Sequence, residues 1–342
     1  MPTLNDPRVS IVIPNLNGLN YLKDCISSVL SQRYMPFEII VVDNGSTDGS
    51  IQFLRSHFPT VKIIALPENI GFAGGCNRGV IAAKGEWIVL LNNDTVAEPA
   101  WLEELVGAAR PEDVAVVGSR CPTRGVPEKY YEMNGTLNVL GYNIMGVFED
   151  LQQSFHVSGC AVLFKKEYLA VPFDDDYFLY SEDVYLAWRA RLRGYRVIQA
   201  PASIVYHVGS ATTSRQNRSL ILYYQQRNRV LNLLLFYEAG NLLKIGPFLL
   251  VDFLGKIVEG LIRKRGTFLA LLKGYVWIMV NVPAVLEKRR RLQSERQVPD
   301  QEIVRWMVCQ LVNGKDSFST IVNRLSWRYC RLVGIRTVEF LR

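Results

Sequence analysis

The chain has 342 residues, 49% hydrophobic and 21% charged, which is enough to bury one large core or two smaller ones. That composition excludes intrinsic disorder, collagen-like repeats and low-complexity classes. The net charge of +7 divides unevenly: residues 1–210 carry a net of −6, from 17 basic and 23 acidic side chains, and residues 211–342 carry +13, from 22 and 9. An acidic first part joined to a basic, apolar tail implies two roles on one chain. Six cysteines without a C-x-x-C pair, and only three histidines, leave no zinc pattern. Scattered cysteines suit a reducing compartment. The first residues lack a basic start followed by an apolar run, so no secretion signal is expected, and the expected address is the cytoplasm or its membrane face.

In chain order, Val9–Ile13 reads as a strand ending at Pro14, Leu19–Gln32 as a helix and Phe37–Val42 as a strand closed by Asp43-Asn44-Gly45-Ser46. Asp48 is placed to cap a helix running to about Phe58. Val61–Leu66, Trp87–Leu91 and Val114–Gly118 read as strands, with helices over Ala73–Ala83 and Pro99–Ala109. Residues 120–156 read as irregular. Val157–Lys165 is a further strand, Ser181–Arg193 a helix capped by Ser181, and Tyr195–Ala200 a strand ending at Pro201. From about Ser214 the segments are long and helical. Short apolar runs alternating with helices predict an α/β fold with a mostly parallel sheet flanked by helices, followed by a C-terminal helical region.

In such sheets ligands sit at the carboxyl ends of strands. That rule singles out Pro14-Asn15, Asp43-Asn44, the loop after Leu66, and Asn92-Asn93-Asp94. Asp43 is either a turn and cap residue or a carboxylate that accepts bonds from a base or ribose. Asn69-Ile70-Gly71-Phe72, with Gly74, Gly75, Asn77 and Gly79, is either a tightly packed Gly-rich loop or a phosphate approach; the dinucleotide fingerprint G-x-G-x-x-G is absent. Asp94 is either a helix cap before Pro99 or a ligand for Mg²⁺ or Mn²⁺ beside a diphosphate. The triple aspartate at 174–176 reads as a solvated loop, Glu182 as a macrodipole partner, and Asp183 as either a macrodipole partner or a general base for an acceptor hydroxyl. His207 follows a strand and is either structural or part of a metal site. His57 and His156 read as structural.

These segments together resemble glycosyltransferase family 2, whose members have the GT-A fold. The matching text is Val9-Ser10-Ile11-Val12-Ile13-Pro14-Asn15, Ile40-Val41-Val42-Asp43-Asn44-Gly45-Ser46-Thr47-Asp48-Gly49, Asn69-Ile70-Gly71-Phe72-Ala73 with Asn77, and Leu90-Leu91-Asn92-Asn93-Asp94-Thr95. Ser158-Gly159, Glu182-Asp183, Trp188-Arg189, Gly194-Tyr195 and His207 complete it, over about residues 8–215. The nearest likeness is to a bacterial rhamnosyltransferase-like branch. The resemblance implies a GT-A domain over 1–215, with a nucleotide-sugar half at about 8–119 and an acceptor half at about 120–215. It implies inverting transfer from a nucleotide-diphosphate sugar, dTDP-rhamnose first and UDP-hexose or UDP-N-acetylhexosamine second, to a glycan or lipid-linked acceptor in cell-surface polysaccharide assembly. Pro14, Asn15, Asp43, Asn44, Asn69, Gly71, Phe72, Asn77, Asn92 and Asn93 would line the nucleotide-sugar pocket. Gly159, Glu182 and Trp188 would face the acceptor. Asp94 and His207 would hold a divalent cation, and Asp183 would be the base. Two positions depart from the family pattern: the usual Asp-x-Asp is Asn92-Asn93-Asp94, and Tyr185 stands where a further acidic residue is common. A catalytically inactive membrane scaffold is the rival from another class; retention of both Asp94 and Asp183 argues against it.

The tail, 216–342, mixes apolar runs with the basic clusters Arg263-Lys264-Arg265 and Lys288-Arg289-Arg290-Arg291. Its longest uncharged stretch in that region, Gly274–Leu286, is thirteen residues, too short to span a bilayer as a helix. The expected role is attachment to an anionic inner membrane face; a helical bundle or homodimer interface is the alternative. Nucleic acid is not an expected partner, because the tail is too apolar and carries no known motif.

Overall fold

The computed structural model describes residues 7–122, 136–144, 154–207, 218–263, 265–314 and 316–340. The first half builds β1 (Val9–Asn15), α1 (Leu19–Leu30), β2 (Glu38–Asp43), α2 (Ser50–His57), β3 (Lys62–Ala65), α3 (Gly71–Ala82), β4 (Trp87–Leu91), β5 (Thr95–Ala97), α4 (Trp101–Ala109) and β6 (Val114–Arg120). Two short strands, β7 (Thr136–Leu137) and β8 (Asn143–Ile144), precede β9 (Ala161–Lys165), α5 (Glu182–Leu192) and β10 (Arg196–His207). The C-terminal part is helical: α6 (Arg218–Phe236), α7 (Ala239–Arg263), α8 (Arg265–Val280), α9 (Val282–Ser294), α10 (Asp300–Val304) and α11 (Ser317–Leu332).

Eight strands form one sheet in the order β3-β2-β1-β4-β9-β6-β10-β5. The β3-β2-β1-β4 half is parallel, as expected. The other half is mixed: β6 and β10 pair in parallel, β9 runs antiparallel to both β4 and β6, and β5 antiparallel to β10, so six of the eight strands run the same way and the sheet is mostly parallel, as expected. Alternating side chains divide the core between the two faces. Val12, Ile40, Val42, Ile88 and Leu90 pack on one face, under α3 and α5. Ile11, Ile13, Val41, Val89 and Leu91 pack on the other, under α1 and α4.

Several local expectations change. β1 continues through Pro14 to Asn15, paired with Val42 and Asp43 of β2. Asp94 leads into β5 rather than capping a helix. β10 runs on through Pro201, where the register shifts between Ala200 and Ile204; a proline, lacking an N–H, fits such an irregularity. Ser181 precedes α5 without a side-chain cap bond. Asp48 accepts from Ser50 N–H at 3.0 Å, near the start of α2, and from Leu19 N–H at 2.9 Å, at the start of α1. All six cysteines are free and buried.

Helix α6 shares the core of the sheet. Leu231, Leu233, Leu235 and Phe236 of α6, with Tyr237, belong to the same core as Val12 and Trp188. No single described helix is long and apolar enough to cross a membrane; α8 and α9 reach that length and composition only as a pair bent by 72°. Lys288 of α9 bonds Asp174 and Asp176, and Arg289 donates to the Leu234 carbonyl, so half of that basic cluster is turned inward. Arg290 and Arg291 stay exposed. Lys264 and the side chains of Arg263 and Arg265 lie outside the described residues.

Candidate active site

The carboxyl ends of β1, β2 and β4 meet at one cavity of about 290 Å³. Its wall includes Pro14, Asn15, Asn44, Asn69, Gly71, Phe72, Asn92, Asn93 and Asp94 from the first half. Gly159, Glu182, Asp183 and His207 come from the second. A chain of amides ties the strand ends together. Asn93 Nδ2 donates to Asn15 Oδ1 at 2.7 Å, and Asn15 Nδ2 donates to Asp43 Oδ2 at 2.9 Å. Asn44 Nδ2 donates to Asn69 Oδ1 at 3.0 Å and to the Gly71 carbonyl at 2.9 Å, while its Oδ1 accepts from Ile70 N–H. The Asn residues after each strand therefore set the shape of the floor as well as its polarity.

Two glycines are required by this geometry. A Cβ on Gly18 would stand 2.0 Å from Asn93 Nδ2 and 2.5 Å from Asn15 Oδ1. Gly71 has φ +84° and lies against Phe178, whose carbonyl would be 2.5 Å from a Cβ. A side chain there meets both strain and a clash.

Asp94 and His207 face each other at the cavity, with Nε2 3.1 Å from Oδ1. The antiparallel pairing of β5 with β10 produces this meeting, since His207 lies opposite Thr95. Neighbouring ligands of an octahedral ion at ~2.1 Å stand roughly 3 Å apart, so the pair fits two positions around Mg²⁺ or Mn²⁺. Among the described residues no cluster of three or more His, Cys, Asp or Glu surrounds them. The donor set therefore suits an ion whose remaining positions are filled by phosphate oxygens and water.

Asp183 also lines the cavity, next to Gly159, and its Oδ1 accepts from Val184 N–H at 2.8 Å. Tyr180 and Ser181 just before it hold φ of 69° and 63°. Such left-handed residues cost about 1 kcal/mol or more each, so neighbours must hold them. Glu182 is buried, and among the described residues one of its oxygens lacks a hydrogen-bond partner. Burial first, and the charge of Asp183 second, push its carboxyl up to about 8. His156 is buried with Nδ1 unpartnered among the described residues. Burial keeps its pKa below the usual value, against the opposing pull of Asp183.

The raised Glu182 carboxyl has a measurable consequence. Folding favours its protonated form, so that contribution to stability is complete below about 4.5 and is lost as pH rises towards 8. Glu182→Gln removes the titration. Thermal unfolding should show the wild type losing ground to this variant between pH 5 and 8 and levelling off above. A difference independent of pH would show that Glu182 ionises normally.

Three expected site residues stand elsewhere. Asp43 is fully buried behind the cavity wall, its carboxylate engaged by Asn15 Nδ2 and Ser46 N–H. In this conformation it orients Asn15 and does not face the cavity. Asn77 clamps residues 173–175, donating to the Phe173 carbonyl and Asp175 Oδ1, both at 2.9 Å. Trp188 is core rather than acceptor surface: it is fully buried, stacked on Phe236 at 5.4 Å and edge-on to Phe155 and Tyr237. The cavity also includes Leu16, Cys160, Phe178 and Tyr180, which the sequence did not single out.

Comparison with known proteins agrees with this architecture. Residues 10–173 match the sequence model of glycosyl transferase family 2. That match spans just under half of the chain, and the fold is GT-A. An uncharacterized glycosyltransferase of Haemophilus influenzae is 26% identical over 245 residues, covering 64% of this chain and 75% of that protein. Two further curated glycosyltransferases are covered over only 37% and 35% of their own length. Among solved structures, S. aureus TarS 1-349 aligns with TM-score 0.53 at 17% identity, over 95% of this chain and 90% of that one. The mannosyltransferase PcManGT from Pyrobaculum calidifontis, in complex with GDP-Man and Mn²⁺, aligns with TM-score 0.50 at 17% identity, over 84% and 74%.

Proposed function

We propose that the protein transfers a sugar, with inversion, from a nucleotide-diphosphate donor to a hydroxyl of a glycan or lipid-linked acceptor. The carrying observation is that Asp183 and the Asp94–His207 pair face one cavity floored by strand-end asparagines. Asp183 takes the proton of the acceptor hydroxyl as its oxygen attacks the anomeric carbon. The bond from that carbon to the diphosphate breaks, and the diphosphate leaves with the electron pair. Single displacement inverts the centre and needs no covalent enzyme intermediate. Asp94 and His207 would hold a divalent cation, which supplies charge neutralisation on the diphosphate. Mn²⁺ in the PcManGT complex supports that reading. The rhamnosyltransferase-like resemblance puts dTDP-rhamnose first among donors, with UDP-hexose and UDP-N-acetylhexosamine next, in cell-surface polysaccharide assembly. A panel of nucleotide sugars with Mg²⁺ or Mn²⁺, read by thermal shift and turnover, should yield one donor that is bound and consumed. No response across the panel would overturn the assignment.

We also propose that the helical region rests on an anionic membrane on the cytoplasmic side, near a lipid-linked acceptor. Leu243, Leu250, Leu254, Val258 and Ile262 form an exposed apolar stripe on α7. Phe318, Ile321 and Leu325 form another on α11, beside the exposed Arg324 and Arg328. An apolar face with basic flanks suits a charged lipid interface. Leu250→Glu/Leu254→Glu should abolish flotation with vesicles containing anionic lipid. Unchanged flotation would exclude the α7 stripe. A protein that never floats but sediments as a dimer would assign this face to a second copy.

A further inference from the structure

The sequence of the acidic segment 174–183 reads as a solvated loop followed by a helix start. In the structure it is held almost throughout by C-terminal helices that lie beyond the family-matched residues 10–173. Lys288 of α9 bonds Asp174 Oδ1 and Asp176 Oδ2, each at 2.5 Å. Arg227 of α6 donates to the Asp176 carbonyl and packs over the rings of Trp277, Tyr224 and Tyr223 at 4.6, 5.0 and 5.2 Å.

Two asparagines of α6 grip the strained turn itself. Asn228 Nδ2 donates to the Leu179 carbonyl at 2.9 Å and to the Tyr180 carbonyl at 2.7 Å. Its Oδ1 accepts from Arg227 Nε at 2.9 Å. Asn232 Nδ2 donates to the Ser181 carbonyl at 3.2 Å, and its Oδ1 accepts from Tyr177 Oη at 2.6 Å. Both amides are buried. They thus fix the carbonyls of the two consecutive non-glycine residues in left-handed backbone, Tyr180 and Ser181. Left alone, such residues relax to negative φ. That relaxation would turn the first turn of α5, and Asp183 with it, away from the cavity.

We infer that Asn228 and Asn232 are positioning residues for Asp183, so that transfer depends on α6 although α6 contributes nothing to the nucleotide-facing strand ends. The inference rests on Asp183 being the base. Asn228→Asp keeps the shape and removes both donors. Turnover at saturating donor, for the nucleotide sugar selected by the panel, should fall at least ~10-fold. Affinity for UDP or TDP with Mn²⁺ should stay within about twofold, because that end of the cavity is built from other strands. Ser181→Gly added to Asn228→Asp should recover at least ~threefold in turnover, since glycine holds positive φ without help. Tyr177→Phe, which deletes only the hydroxyl on Asn232, should give a smaller loss with the same split. Wild-type turnover in Asn228→Asp, nucleotide affinity lost in parallel with turnover, or no recovery with Ser181→Gly would overturn the inference. The two readings separate cleanly. An inactive Asp183→Asn beside a fully active Asn228→Asp defeats only the positioning role, whereas an active Asp183→Asn defeats the base and this inference with it.

Discussion

Asp183→Asn is expected to reduce transfer by ~10²–10⁴-fold, the range that a positioned general base contributes. The amide preserves the shape and the contact with Val184 N–H but cannot take the acceptor proton. Donor affinity should stay within about twofold, since the strand-end asparagines and the Asp94–His207 pair are untouched. Glu182 does not substitute at neutral pH. Burial, the larger cause that holds its carboxyl up, persists in the variant and keeps it protonated to higher pH than a free carboxyl. Any residual activity of the variant should therefore rise with pH. The measurement is turnover beside direct nucleotide-sugar titration; turnover at the wild-type level would remove Asp183 as base.

Asp94→Ala should lower kcat/KM for the donor by ~10²-fold or more in Mg²⁺ or Mn²⁺. Asp94 is nearly enclosed, and its carboxylate is the only one in the pair. Its loss leaves His207 to hold a cation against a diphosphate. Disturbing even outer partners of a metal site costs about 10–100-fold, so loss of a direct carboxylate belongs at or above that limit. Chelation with EDTA should silence the wild type, and added Mn²⁺ should restore it. Turnover that EDTA leaves unchanged would show that Asp94 has a different role.

The strands were legible because each is a short β-branched or apolar run with a polar break, and Trp87–Leu91 has the same limits in sequence and structure. Strand direction was not, because period-two burial is identical in parallel and antiparallel pairs. β9 and β5 show this: nothing in Ala161–Lys165 or Thr95–Ala97 encodes which way the chain runs. The site was legible where chemistry and position coincide. Asn15, Asn69, Asp94, Asp183 and His207 all follow strands or open a helix, and all line the cavity. Asn77 and Trp188 were misplaced for the opposite reason. They occur in recognisable motif text, but their work is to close a loop and fill the core. Asp43 sits one bond behind the wall, a distinction that only packing makes. The hold of α6 on residues 177–181 was invisible, since Asn228 and Asn232 lie about fifty residues away, in a helix without motif text.

The central claim is a nucleotide-sugar transfer carried by Asp183. The most direct measurement is nucleoside diphosphate release from a donor panel, with Mg²⁺ or Mn²⁺ and an acceptor-bearing membrane extract, for wild type and Asp183→Asn side by side. The expected result is one donor consumed by the wild type and bound but not consumed by the variant. A donor consumed equally by both, or none bound by either, would contradict it.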